Sequence, residues 1–103
     1  MSEYVYVVQM DIPAEKEADF NRIYDEQHVP EIMKVPGVLG VTRYKLTESS
    51  DKAMPKYLAI YRCASKDIPQ NPAWKKASNT GDWKDMIRPH TTNRKHSIFE
   101  QVA

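Results

Sequence analysis

The chain has 103 residues, 41% hydrophobic and 28% charged, the balance of one globular domain over 1–103 rather than of a disordered segment. With 15 basic and 14 acidic residues the formal charge is +1, too weak a field to gather nucleic acid or an anionic membrane. A lone cysteine, Cys63, excludes an internal disulfide and suits a reducing compartment. Glu3, Gln9 and Asp11 interrupt the N-terminal apolar stretch, and no window reaches the roughly 18 apolar residues of a bilayer span. A cytoplasmic protein without signal peptide or membrane segment is expected.

Tyr4 to Met10, bounded by Ser2-Glu3 and by Asp11-Ile12-Pro13, is β-branched and aromatic and predicts a strand covered on both faces. Pro13 opens a helix whose early turns carry Glu15, Glu17 and Asp19, where the helix dipole favours negative charge. Phe20, Ile23, Tyr24, Gln27 and His28 then share one side of that helix. Val29 precedes Pro30 and is pushed from helical geometry, so a break or kink is expected there. A short helical piece, Glu31 to Lys34, follows, and Pro36-Gly37 ends it.

Val38 to Leu46 predicts the second strand, with Val38, Gly40, Thr42, Tyr44 and Leu46 on one face and Leu39, Val41, Arg43 and Lys45 on the other. Gly40 inside it signals a bulge or a close approach. A polar loop from Thr47 to Pro55 leads to a third strand, Lys56 to Cys63. Asn71-Pro72 reads as a helix cap and first position, followed by Trp74, Ala77 and Ser78 on one side. Asn79-Thr80-Gly81 interrupts that helix. Asp82 is placed to cap a further turn carrying Trp83, Met86 and Ile87, which Arg88-Pro89 stops. Thr92 to Val102 is the fourth strand.

The order is β-α-β-β-α-β. This is the α+β, ferredoxin-like arrangement, a four-stranded antiparallel sheet with two helices on one face. Strands apolar on both parities leave a second sheet face to cover, and no further element remains to do it. A second copy of the chain is therefore the expected partner, a homodimer through the open sheet face.

Phe20, the run Tyr24-Asp25-Glu26-Gln27-His28-Val29-Pro30, then Val35-Pro36-Gly37-Val38 and Arg43-Tyr44 resemble the signature of EthD-like proteins of the dimeric α/β-barrel superfamily. The likeness covers the first half of the chain. The resemblance implies the fold, the dimer and a pocket for a hydrophobic, often aromatic, small molecule. The superfamily includes isomerases, cyclases, dehydratases, cofactor-free monooxygenases and heme-degrading enzymes, so it does not pick the reaction.

His28 and Tyr24 are the candidate catalytic pair, since an imidazole suits proton transfer near neutrality. The residues alone leave open a core histidine that steadies the turn at Pro30; the resemblance favours the pocket. Tyr6 and Tyr61 are candidates to orient a substrate oxygen, against cross-strand packing. Trp74 and Trp83 offer an aromatic wall, against simple anchoring of the second helix. Arg43 is the candidate for a carboxylate or phenolate, with Arg62 and Arg88 beside it. His90 and His96 lack metal spacing, and no metal or other cofactor is expected. The basic C-terminal cluster (Arg88, His90, Arg94, Lys95, His96) reads as a solvated edge.

The expected function is a small cofactor-independent lyase, isomerase or dehydratase acting on an aromatic or other hydrophobic molecule, as in aromatic compound catabolism. A non-catalytic small-molecule-binding protein is the alternative. A cofactor-free or heme-linked monooxygenase is a further one.

Overall fold

The computed structural model describes residues 3–103; Met1 and Ser2, the latter set by sequence ahead of the first strand, lie outside them. Four strands, β1 (Tyr4–Asp11), β2 (Val38–Lys45), β3 (Tyr57–Cys63) and β4 (Thr92–Glu100), form one sheet in the order β2-β3-β1-β4. Each neighbouring pair is antiparallel. The helices α1 (Glu17–Ile23), α2 (Val29–Met33) and α3 (Pro72–Ser78) lie between them in the expected order. The fold is the ferredoxin-like one. No helix among the described residues is long and apolar enough to cross a membrane.

The core lies between the helices and one face of the sheet. In register, Val8 pairs with Ala59, Met10 with Tyr57 and Tyr6 with Tyr61. Against them pack Phe20, Ile23, Tyr24, Ile32, Trp74, Ala77, Trp83 and Ile87 in one buried cluster. The opposite face carries half-buried Val5, Val7, Leu58 and Ile60 beside exposed Tyr44 and Phe99. Among the described residues of one chain nothing covers it.

At Pro30 the chain does not simply break. Tyr24–His28 form one π-helical turn, in which the Val29 N–H donates to the Tyr24 carbonyl five residues back. Pro30 then sits in the first turn of α2, where its missing N–H costs nothing. A proline ring clashes with the carbonyl four residues earlier, and the widened turn removes that clash. The same device recurs at Trp83–Ile87, where Arg88 donates to the Trp83 carbonyl just before Pro89.

Asn71 caps α3 as expected, accepting from the Trp74 N–H at 2.9 Å. Asp82 does not cap the turn after it. Its carboxylate instead accepts from Gln27 Nε2 at 2.9 Å, while its own N–H donates to Gln27 Oε1 at 2.8 Å, tying that turn to the first helical layer.

Two bulges change strand faces. In β2 the register slips between Val38 and Gly40, which brings Val38 opposite buried Cys63 and onto the helix side with Val41 and Arg43. Val38 thus leaves the face assigned to it by alternation. Gly40 also makes the close approach expected of it, since a Cβ there would lie 3.2 Å from Arg62 Nη1. In β4 the register passes from Gln9–Lys95 to Asp11–Thr92, so β4 holds one extra residue. Asn93, at φ 51°, takes the left-handed conformation that such a bulge requires.

Candidate functional site

The π turn at Tyr24–His28 drives His28 inward. Its imidazole is 5% exposed, stacks on Trp83 with centroids 4.5 Å apart, and meets the edge of Tyr24 at 5.0 Å. Its Nδ1 finds no hydrogen-bond partner among the described residues. Burial first, then the Arg88 and Arg43 guanidiniums, hold its pKa down to about 3, so the ring is neutral at physiological pH.

Tyr24 and Tyr61 share a short hydroxyl–hydroxyl hydrogen bond within the core. Burial pushes the Tyr24 phenol up to about 12 and raises Tyr61 as well, where the neighbouring Tyr24 adds to the effect. Both remain protonated. The Arg43 guanidinium lies 4.3 Å from the centroid of the Tyr24 ring, in cation–π contact, and is held by Asp25 at 2.6 Å and Asn21 at 2.8 Å.

This deep cluster is filled. The void beside Tyr24, bounded also by Val8, Phe20 and Tyr57, measures about 10 Å³, the threshold for one water. His28 lines neither this void nor any of the four larger clefts and grooves at Arg43, Val35, Ile98 and Trp74. An open groove of about 730 Å³ lies outside it, between α1 and β2, where Arg43 and Glu17 meet solvent. Its charges are already matched: Glu17 accepts from the Tyr57 hydroxyl and pairs with Lys45 at 3.4 Å and Lys56 at 3.2 Å.

The cluster reaches water on the other side as well. Tyr61 contacts the edge of Trp74 at 5.1 Å, and Trp74 contacts Tyr6 at 5.5 Å. Tyr6 reaches His96, its hydroxyl 2.7 Å from Nδ1. The helical layer stops short of β4, so His96 and Ile98 face the helix side yet remain exposed. Two clefts open along this stretch of β4, one at Arg94 and one at Ile98, two residues to either side of His96. One of about 310 Å³ is lined by Trp74, Lys75, Ser78, Asn79, Arg88 and Arg94. The other, of about 530 Å³, runs past Tyr4, Gln70, Ile98 and Glu100.

Burial raises the Tyr6 pKa, with Arg94 opposing. Burial and Arg94 both lower that of His96. At neutral pH the pair is therefore a phenol and a neutral imidazole.

The structure joins Arg43, Tyr24, Tyr61, Trp74 and Tyr6 into one contact chain, with His28 and Trp83 packed beside Tyr24; Arg62 lies outside it, paired with Glu3 at 3.1 Å, and Arg88 lines the cleft beside Trp74. The contact chain meets solvent at Arg43, at Tyr6 and, along the 310 Å³ cleft, at Trp74. Sequence reasoning passed over His96 as a site residue. Strand alternation carried the signal, because His96 pairs with Val8, which faces the core. Among the described residues no cluster of His, Cys, Asp and Glu could hold a metal ion.

Residues 3–80 match the family described as Domain of unknown function (DUF4286). The chain belongs to the DUF4286 family. No curated protein matches it significantly. The DUF4286 chain shares its fold with an ethyl tert-butyl ether d (EthD) family protein from Bacillus halodurans, at 16% identity and TM-score 0.67, over 99% of this chain and 100% of that one. It is similar to the heme-degrader MhuD from Mycobacterium tuberculosis, at 16% identity and TM-score 0.70, over 97% and 96% of the two chains. It is also similar to SnoaB from Streptomyces nogalater, a cofactor-independent oxygenase, at 18% identity and TM-score 0.63, over 94% and 90%. The EthD-like fold expected from the sequence is thereby found; at these identities the likenesses carry fold alone.

Proposed function

We propose that this DUF4286 chain is a small-molecule enzyme that transfers a proton in the cleft between α3 and β4, acting on an aromatic or other hydrophobic compound. Two copies pair through the open sheet face to complete a dimeric α/β barrel over 1–103. The observation that carries the reading is the 2.7 Å contact of the Tyr6 hydroxyl with His96 Nδ1, next to Trp74, which meets Tyr6 at 5.5 Å and itself lines the open cleft. With Nδ1–H donating to the Tyr6 oxygen, Nε2 is free to take a proton from a carbon beside a carbonyl. The Tyr6 hydroxyl then donates to the oxygen on which charge develops. Trp74 supplies the apolar wall.

His28, Tyr24, Tyr61 and Trp83 act in this reading as positioning residues, a rigid aromatic backing behind Tyr6 and Trp74. Arg43 locks Tyr24 from the far side. The test is exchange of the acidic C1 hydrogens of 2-tetralone with D2O, followed by proton NMR. Tyr6→Phe and His96→Gln should each slow exchange by on the order of 10²-fold while remaining folded. Exchange at the wild-type rate in both variants would remove the dyad from the chemistry.

A second reading, oxygenation without a cofactor, is supported by the likeness to SnoaB. A carbanion formed by the same dyad could pass an electron to dioxygen. Consumption of dissolved oxygen in step with loss of substrate would distinguish it from isomerisation, which consumes none.

A further inference from the structure

The 310 Å³ cleft beside His96 has an uneven charge. Arg88, Arg94 and Lys75 line it, and no carboxylate does. None of these cations takes part in an ion pair among the described residues. The Arg88 guanidinium is fixed by neutral acceptors only: Asn79 Oδ1 at 2.8 Å, the Ser78 carbonyl at 2.8 Å and Ser78 Oγ at 2.9 Å. Asp85 is close enough for its charge to be felt at Arg88, yet it forms no ion pair there. Burial and the like charge of Arg94 both work against the Arg88 charge.

An independent feature aims Arg94 at this place. The extra residue of β4 lies between Thr92 and Lys95, and Asn93 absorbs it in the left-handed conformation. The Asn93 side chain pins the bulge, donating to Asp11 Oδ2 at 3.1 Å and to the Ala53 carbonyl at 2.8 Å. Bulges re-aim the side chains beside them. Arg94, two residues from His96, therefore shares its face of the strand and stands over the same cleft as Trp74.

Two neighbouring guanidiniums without a carboxylate are costly unless an anion joins them, and their planar forks match a carboxylate. We propose that Arg88 and Arg94 form a carboxylate subsite, and that the ligand of this cleft is a planar aromatic carboxylate with its ring beside Trp74 and Tyr6. The inference rests on the functional reading of the same cleft and specifies its substrate class.

Isothermal titration calorimetry with naphthalene-2-carboxylate, naphthalene-2-carboxamide and inorganic phosphate tests it. The carboxylate should bind at least about tenfold more tightly than the neutral amide, and more tightly than phosphate. Arg94→Gln should bring carboxylate and amide to the same affinity, and Arg94→Lys should restore part of the difference. Arg94 is exposed, and circular dichroism would verify that both variants fold. Equal affinities in the wild type, or a preference unchanged by Arg94→Gln, would overturn the subsite while leaving the cleft as a ligand site. Phosphate binding as tightly as the aromatic carboxylate would also overturn it, leaving a simple anion site. If neither naphthalene compound binds, the subsite and the functional reading fall together.

Discussion

The imidazole of His28 lies nearly face to face with the indole of Trp83, centroids 4.5 Å apart and planes 28° apart. Each ring is delivered by a π turn that precedes a proline, so two widened turns meet at one stacked pair.

That burial has a measurable titration. The unfolded chain protonates His28 near its ordinary 6.5, whereas the folded chain resists until about 3. The unfolded state therefore binds more protons in this window, and stability falls as pH drops from about 6.5 towards 3. His28→Phe keeps an aromatic ring against Trp83 and has no proton to take up. Urea denaturation at several pH values should show a shallower loss below pH 6.5 in the variant than in the wild type. Equal slopes would mean that His28 is not held neutral.

Glu17 gives a second, more acidic signature. The Tyr57 hydroxyl first, then Lys56 and Lys45, hold its carboxyl down from 4.5 to about 2. Its contribution is complete above about 4.5 and is lost as pH falls through about 2. Glu17→Gln should flatten the acid limb of the stability curve between these values and leave the region around pH 6 unchanged. An acid limb identical to that of the wild type would contradict the network.

The bulge of β4 makes Asn93 a conformational requirement. At φ 51° an alanine is strained and a glycine is not. Both substitutions lose the bonds to Asp11 and Ala53, so their difference isolates the backbone. Asn93→Gly should be more stable than Asn93→Ala by about 1 kcal/mol in denaturant titrations. Equal stabilities would mean that the bulge relaxes.

How far the sequence foretold this depends on range. Asn71-Pro72 and Pro36-Gly37 act within a few residues, and their cap and turn could be read directly. Element order followed from the same local signals. The bulges at Leu39 and Asn93 arise from pairing with distant strands, so simple alternation put Val38 on the wrong face. Arg94 reads as part of a solvated edge by sequence because Glu100 and the acidic first helix offset the basic cluster in charge. The π turns were visible only as proline positions. His28 was placed correctly on the apolar side of its helix. How deeply it is sealed depends on Trp83, 55 positions later, a contact that periodicity does not encode.

The open sheet face carries a prediction about assembly. Phe99 is 55% exposed and Tyr44 51%, beside half-buried Val5, Val7, Leu58 and Ile60. Sedimentation should find the wild type as two copies, and Phe99→Asp should shift it to one by placing a charge in that contact. A wild-type monomer at micromolar concentration would contradict the pairing.

The central claim is that ligand meets the chain at Tyr6, Trp74 and His96, and not at the sealed His28 cluster. Histidine- and tryptophan-resolved NMR during a titration with naphthalene-2-carboxylate tests it most directly. Resonances of His96 and the Trp74 indole should move saturably together, while those of His28 and Trp83 stay in place. Movement of His28 and Trp83 with His96 and Trp74 unchanged would contradict it.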